Sequence, residues 1–199
     1  MSAHGLGSPG PAPPGSPGAA GFVRPARAGD ATSLARVQVA SWRREFTGVV
    51  PPALLAELTS DEAEAVWRDR WREAITNPPT SRHHVLAAVT GAPSREVVGF
   101  ASAGPATDAD LWPGTDGEVY ELRILPERTR HGHGSRLLHA VADTLTQDGF
   151  HTVSIWALEV DTARLRFLQS SGWAADGARG ELDVGTSVPV VRLHTAISE

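Results

Sequence analysis

Cysteine and lysine are both missing from this chain of 199 residues, and tyrosine and methionine occur once each. Without cysteine, disulfides, thiolate metal sites and a cysteine nucleophile are excluded together. Without lysine, all 18 basic side chains are arginine, which excludes Schiff-base catalysis and any phosphate loop of the Walker type, since that loop depends on its lysine. No apolar run approaches the ~20 residues that a membrane helix needs, so no membrane partner is expected. An excess of positive charge is missing too. The formal net charge is −5, so broad nucleic-acid binding, which rests on neutralising phosphates, is not expected either. The chain shows no internal repeat.

What is present is ordinary for a globular protein: 41% hydrophobic and 21% charged residues, over a length that favours one domain. The opening "MSAHGLGSPGPAPPGSPGAAG" departs from this. It is roughly half glycine and proline and offers almost nothing apolar to bury, so residues 1–21 are expected to form a disordered tail and residues 22–197 the domain. The tail lacks the apolar centre of a secretory signal and the pattern of a transit peptide, which makes cytoplasmic residence the expectation.

From Phe22 the texture changes. "FVRPA" reads as a strand, and Asp30 as the cap of a helix that ends near Gly48. "VVPPALLAEL" opens a second helical segment, in which Thr59 and Glu62 form a capping box and Ala63, Trp67, Trp71 and Ile75 share one stripe. "HVLAAVT", "EVVGFASA" and "EVYELRIL" read as a meander of three strands. Leu137, Leu138, Val141 and Leu145 mark a third helix ending at Gly149, followed by the strand "TVSIWALEV". Asp161 can cap a fourth helix, closed by Gly172, and "GELDVG" and "VPVVRLHTAI" end the chain as strands. The order is β α α β β β α β α β β, a mixed α/β sheet. Strict alternation along the third meander strand places Glu118, Tyr120, Leu122 and Ile124 on one face, with Val119, Glu121 and Arg123 on the other.

The stretch that carries chemistry is "LPERTRHGHGSRLL", Leu125 to Leu138. A strand delivers the chain to a glycine turn, and the turn becomes the N-terminus of the third helix, where unpaired N–H groups and the positive dipole end converge. Gly132 and Gly134 allow close backbone approach, while Arg128, Arg130 and His131 supply charge around the same spot. A phosphate-bearing ligand fits. A dinucleotide fingerprint fails because its third glycine would fall at Leu137. A metal site fails because His131 and His133, with His139 further along the helix, find no carboxylate or third ligand at clear spacing, and arginines crowd them. A plain helix entrance with solvated arginines stays open beside the phosphate cradle.

Taken together, "EVYELRILPERTRHGHGSRLLHAVADTLTQDGF" and "IWALEVDTARLRFLQSSGW" resemble the GNAT superfamily of acyl-CoA-dependent N-acyltransferases. Ile124, Leu125 and Pro126 match the family's strand end, Gly132 and Gly134 its last two glycines, and Leu137 with Leu138 its paired leucines. Thr129 and Arg130 stand where the family prefers Arg or Gln followed by Gly. Phe167, Gly172 and Trp173 match the later helix-to-strand signature, with Asp161 for its Asn and Leu168 for its Tyr. "FVRPARAGDATSLARVQVASWRREFTGVVP" resembles the family's first strand and helix, so the similarity spans residues 22–197.

The resemblance implies a mostly antiparallel central sheet of about seven strands flanked by about four helices. It implies acetyl-CoA as co-substrate, no metal, and a small-molecule or peptide amine as acceptor. The amides of the turn would hold the pyrophosphate, drawing in Arg128, Thr129, Arg130, His131, Gly132, His133, Gly134 and Ser135. Asp161 would touch the cofactor from the later helix. The strand would pair with pantetheine, and the N–H of Ile124 or its neighbour would polarise the thioester. Glu118, at a position where relatives carry a glutamate, would be the base, acting directly or through water, with Tyr120 beside it. Leucine at 168 cannot donate a proton to the departing thiolate, as the family's tyrosine is thought to do. The expected function is an acetyltransferase acting by direct attack in a ternary complex, and the rival is a catalytically silent CoA-binding or regulatory module. Oligomeric state, a homodimer included, is left open. Trp42, Trp67 and Trp71 are expected in the core rather than at an acceptor pocket.

Overall fold

A computed structural model describes residues 21–197, so the expected N-terminal tail lies, apart from Gly21, outside the described residues. Strand β1 (Phe22–Pro25) is followed by helices α1 (Ala31–Phe46), α2 (Pro52–Leu58) and α3 (Asp61–Thr76). Strands β2 (His84–Val89), β3 (Val97–Pro105) and β4 (Asp116–Ile124) form the meander. Then come α4 (His133–Gln147), β5 (Thr152–Leu158), α5 (Thr162–Ser170), β6 (Ala174–Asp183) and β7 (Ser187–Ala196). The seven strands form one sheet in the order β1-β2-β3-β4-β5-β7-β6, and only the β4–β5 pair is parallel. That is the mixed, mostly antiparallel sheet expected from the sequence.

Helices cover both faces. Leu137, Leu138, Val141 and Leu145 of α4, with Leu168 of α5, pack on Leu86, Ala101, Val119, Leu122 and Ile155 of the sheet. Leu34, Ala35 and Val37 of α1 and Trp71 of α3 pack on Ala87, Val89, Val98 and Phe100 of the other face. Each fully buried aliphatic side chain of this kind stabilises by about 1.5–3 kcal/mol. Trp67 meets Trp71 in a tilted pair and Trp71 meets Phe100 edge to face in the second layer, with Trp42 against Trp67 at 5.1 Å between ring centroids, so Trp71 is core and Trp67 packs against it partly buried. Among the described residues no helix is long and apolar enough to cross a membrane.

Three local expectations change. The second helical segment is two helices, because the chain breaks at Thr59–Ser60; Ser60, one residue beyond the expected cap, accepts from the Ala63 N–H at 3.1 Å. Thr59 instead turns its hydroxyl back to the Leu55 carbonyl. Asp30 stands at the head of α1 without capping it, since its carboxylate accepts from the Arg24 guanidinium at 2.6 and 2.9 Å and from the Arg27 N–H at 2.7 Å. Finally, the expected alternation along β4 is broken. Ser102 pairs with Glu121 and the next residue, Ala103, pairs with Val119, leaving Tyr120 as an extra residue in a β-bulge. Val119 and Leu122, expected on opposite faces, therefore share one core, and Glu118 falls on the side of Glu121 and Arg123.

Candidate active site

The site begins where the sheet comes apart. Strands β4 and β5 pair from Asp116–Thr152 to Val119–Ile155 and no further, although β4 runs on to Ile124 and β5 to Leu158. Parting starts at the bulge, as expected where an extra residue bends one strand away from its neighbour. The resulting gap opens into a cleft of about 900 Å³. Its walls are Leu122, Arg123 and Ile124 of β4, the start of α4, Asp161 to Ser170 along α5, and the end of α1 from Ser41 to Thr47.

One mouth of this cleft is the glycine turn. Gly132 holds a left-handed backbone (φ 78°, ψ 3°) as the N-cap of α4 and supplies no side-chain cap, so the first N–H groups of the helix are left for a ligand. Arg130, two residues earlier, is also left-handed (φ 66°). An L side chain there costs about 1 kcal/mol. The residue that resemblance would make glycine thus keeps the glycine conformation, and successive N–H groups of such a turn form a concave nest for an anion. A Cβ on Gly134 would meet the Phe167 ring at 3.1 Å, which accounts for the lack of a side chain at that approach of α4 to α5.

Of the sequence-predicted ligand contacts, Ile124, Arg128, Thr129, Arg130, Gly132, Gly134, Ser135 and Asp161 all line the cleft. His131 and His133 do not. His131 turns its ring to the Thr129 carbonyl at 2.8 Å. His133 is buried behind the turn with Nδ1 unpartnered among the described residues, and burial, then the charge of Arg136, lowers its pKa, favouring the neutral ring. Asp161 caps α5 by accepting from the Arg164 N–H at 3.0 Å while facing the cleft.

The two residues expected to handle protons lie beside the cleft rather than in its lining. Glu118 is buried on β4, paired with Ser154 one residue before the strands part, and one carboxylate oxygen accepts from the Thr107 N–H (2.9 Å) and hydroxyl (2.7 Å). The Tyr120 hydroxyl donates to the Pro105 carbonyl at 2.6 Å. Burial, and then the Glu118 charge, pushes that hydroxyl well above its ordinary pKa, so it stays protonated and tied to the backbone.

Sequence reasoning missed the charged residues inside the cleft. Arg123 is buried between Glu45 of α1 and Glu121, bonded to the latter at 2.6 Å. Burial alone would lower its pKa, and the two carboxylates outweigh that and hold it above the ordinary value. Arg164 of α5 donates from Nη1 to the Leu122 carbonyl at 3.1 Å, across the gap. Its Nε is sealed from solvent and, among the described residues, has no partner. The sequence signal for Arg164 was its place one turn before Leu168 on the inward stripe of α5; Glu45 and Arg123, 78 positions apart, left none. Among the described residues no group of three or more His, Asp or Glu side chains converges as metal ligands would.

Comparison with known proteins agrees with this geometry. The sequence profile described as "Acetyltransferase (GNAT) family" matches residues 52–173. A Bacillus subtilis (strain 168) protein described as the uncharacterized N-acetyltransferase YuaI is 33% identical over 137 residues, covering 69% of this chain and 71% of that one. The PaiA N-acetyltransferase of Thermoplasma acidophilum, solved with coenzyme A, superposes with a TM-score of 0.65 at 14% identity, over 86% of this chain and 97% of that one. YncA of Salmonella typhimurium, a putative acetyltransferase solved with acetyl-CoA, gives 0.61 at 17% identity, over 90% and 95%. At such identities these two structures establish the shared fold.

Proposed function

Because the chain belongs to the acetyltransferase (GNAT) family, we propose that it moves an acetyl group from acetyl-CoA to a primary amine of a small molecule or peptide, by direct attack in a ternary complex. The observation that carries this reading is the continuity of one cleft from the uncapped start of α4 to the gap between β4 and β5. An elongated ligand with an anionic head suits that shape. Its pyrophosphate lies on the N–H groups around Gly132 to Ser135, with Arg128 and Arg130 adding charge. Its arm runs inward along Ile124 and Leu122 toward the gap. The coenzyme in the two superposed neighbours supports the choice of ligand.

The amine must reach the thioester neutral, and the proton it sheds must go somewhere. Glu118 fills that role through water, standing at the apex of the gap with one oxygen fixed by Thr107 and the other free of any protein donor among the described residues. Tyr120 is left out of the chemistry, because its proton is committed to Pro105. The acceptor meets the site from the side of α1, where Ser41, Arg44 and Glu45 line the cleft.

Incubation with acetyl-CoA and a panel of amines, read by release of free thiol, tests the reading. Release that depends on an acceptor supports it; tight CoA binding by calorimetry with no release from any amine supports the silent module instead. Glu118→Gln is expected to lower kcat by ~10²- to 10⁴-fold with little change in CoA affinity and to flatten the acid limb of the pH–rate profile. An unaltered profile removes Glu118 as the base.

A further inference from the structure

The transfer ends with negative charge on sulfur, and the residue that resemblance would assign to meet it is absent. Leu168 is wholly buried in the core beneath α4, so that position neither donates a proton nor faces the cleft. One helical turn earlier on the same face of α5 stands Arg164, which lines the cleft. It reaches across the gap to the Leu122 carbonyl. It has no carboxylate within ion-pair distance among the described residues, in contrast to Arg123 beside it. A guanidinium presents five N–H donors in a fixed fork. Here Nη1 bonds the strand, Nε is sealed from solvent, and Nη2 has no partner among the described residues and is left for a ligand in the cleft.

A cation partly withdrawn from water without a carboxylate bonded to it is costly. Burial first, then the nearby charge of Arg123, pulls the Arg164 pKa below its ordinary value, against the opposing effect of Glu45, Glu121 and Asp161. Such a group gains most when an anion arrives. In the ground state of the reading above the ligand brings no negative charge to this part of the cleft; in the transition state one forms on its sulfur.

We propose that Arg164 is the catalytic residue that receives the departing CoA thiolate, its unbonded Nη2 and positive charge replacing a tyrosine general acid. The inference rests on the acyl-CoA reading of the cleft. In the step itself, the amine lone pair forms the new C–N bond and the C–S bond breaks with its electron pair going to sulfur. The amine proton leaves through water toward Glu118. The guanidinium donates a hydrogen bond to the sulfur and keeps its own proton. The CoA thiolate is then protonated from solvent to give the product thiol. Preorganised donors aimed at developing charge are the largest single contribution in many such sites.

The charges that bear on the sulfur are Arg123 and Glu121 of β4, Glu45 and Arg44 of α1, and Asp161 of α5. They carry opposite signs and stay in place when Arg164 alone is changed. The test is therefore the thiol of bound CoA, titrated through the ultraviolet absorbance of its thiolate in the wild type, Arg164→Met and Arg164→Lys, with CoA affinity measured separately by calorimetry. The thiol of CoA bound to the wild type is expected to ionise about one to two units lower than when bound to Arg164→Met, with Arg164→Lys close to the wild type. Turnover of Arg164→Met is expected to fall by ~10²- to 10³-fold. Equal thiol pKa values in the wild type and Arg164→Met overturn the proposal, as does Arg164→Lys behaving like Arg164→Met in that titration. Failure of all three proteins, wild type included, to bind CoA would strike the acyl-CoA reading itself, a distinct result.

Discussion

Arg164 and Arg192 are both held inside the protein, and they are treated in opposite ways. Arg192 on β7 is 5% exposed and caged by three carboxylates, bonding Asp108 at 2.8 Å, Asp110 at 2.8 and 2.6 Å, and Asp176 at 2.6 Å. The hydrogen bonds it donates to Asp110 lead the effects that raise its pKa above the ordinary arginine value. Trp156 beneath it also bonds Asp108, so one cluster ties β5, β6 and β7 to the loop between β3 and β4. Arg164 has one carbonyl and an idle N–H, and its pKa moves down. A satisfied buried charge holds elements together, whereas an unsatisfied one beside a cleft is stability given up at a place where a ligand can restore it.

The most forceful way to sharpen this contrast is to spoil the open site alone. Gly134→Asp adds a carboxylate at the helix start and crowds Phe167; CoA affinity is expected to drop by at least roughly a hundredfold in calorimetry, since like charges brought together cost several kcal/mol. The added acid suits the positive end of α4, so the thermal transition should persist. Retained affinity would remove the anion cradle.

Spoiling the closed cluster should do the reverse. Arg192→Met leaves three carboxylates facing one another and is expected to cost about 3 kcal/mol in urea unfolding, with CoA affinity changed less than about twofold. If it lowers affinity as much as stability, the two regions are not separable.

A smaller effect is expected from pH. Asp110 is held below the ordinary carboxylate pKa by its bond to Arg192, and Asp176 likewise, the Ala178 N–H and Arg192 outweighing its burial. Depressed carboxylates stabilise the fold above their unfolded pKa of about 4, and the contribution fades as pH falls through their lower folded values. Urea midpoints should therefore decline more steeply below about pH 4 in the wild type than in Arg192→Met. The smallest effect, and the one of opposite sign, belongs to Arg130→Gly. Releasing an L residue from φ 66° should stabilise by up to about 1 kcal/mol, with CoA affinity weakened only modestly by the lost charge.

Much of this molecule could be read from its sequence because the signals are local. Gly149 and Gly172 stop α4 and α5, apolar residues of α4 recur at helical spacing, and the turn at Gly132 sits between a strand and a helix, so both the fold and the anion-binding mouth of the cleft were legible. What escaped depends on tertiary placement. Ser60 rather than Thr59 caps α3, a difference of one residue between two competent capping types. The ion pair of Arg123 with Glu45 joins segments that nothing in the sequence connects. Arg164 sits on a stripe with Leu165 and Leu168, where periodicity announces burial but not the absence of a partner.

The bulge at Tyr120 has a further meaning for how β4 tolerates change. A strand is read in steps of two, and the extra residue shifts the phase between its first half and its second. Straightening the strand with Tyr120 still in the chain would restore the regular beat and force a choice. Either Val119 keeps its place in the core and Leu122 turns out, or Leu122 keeps its place and Glu118 is driven in among Ile155 and Leu145. Only the shifted phase lets one strand lay down a hydrophobic floor on both sides of the gap while turning Glu118, Glu121 and Arg123 to the other face. For an alignment of this strand, the matching of positions before and after residue 120 must therefore be counted separately.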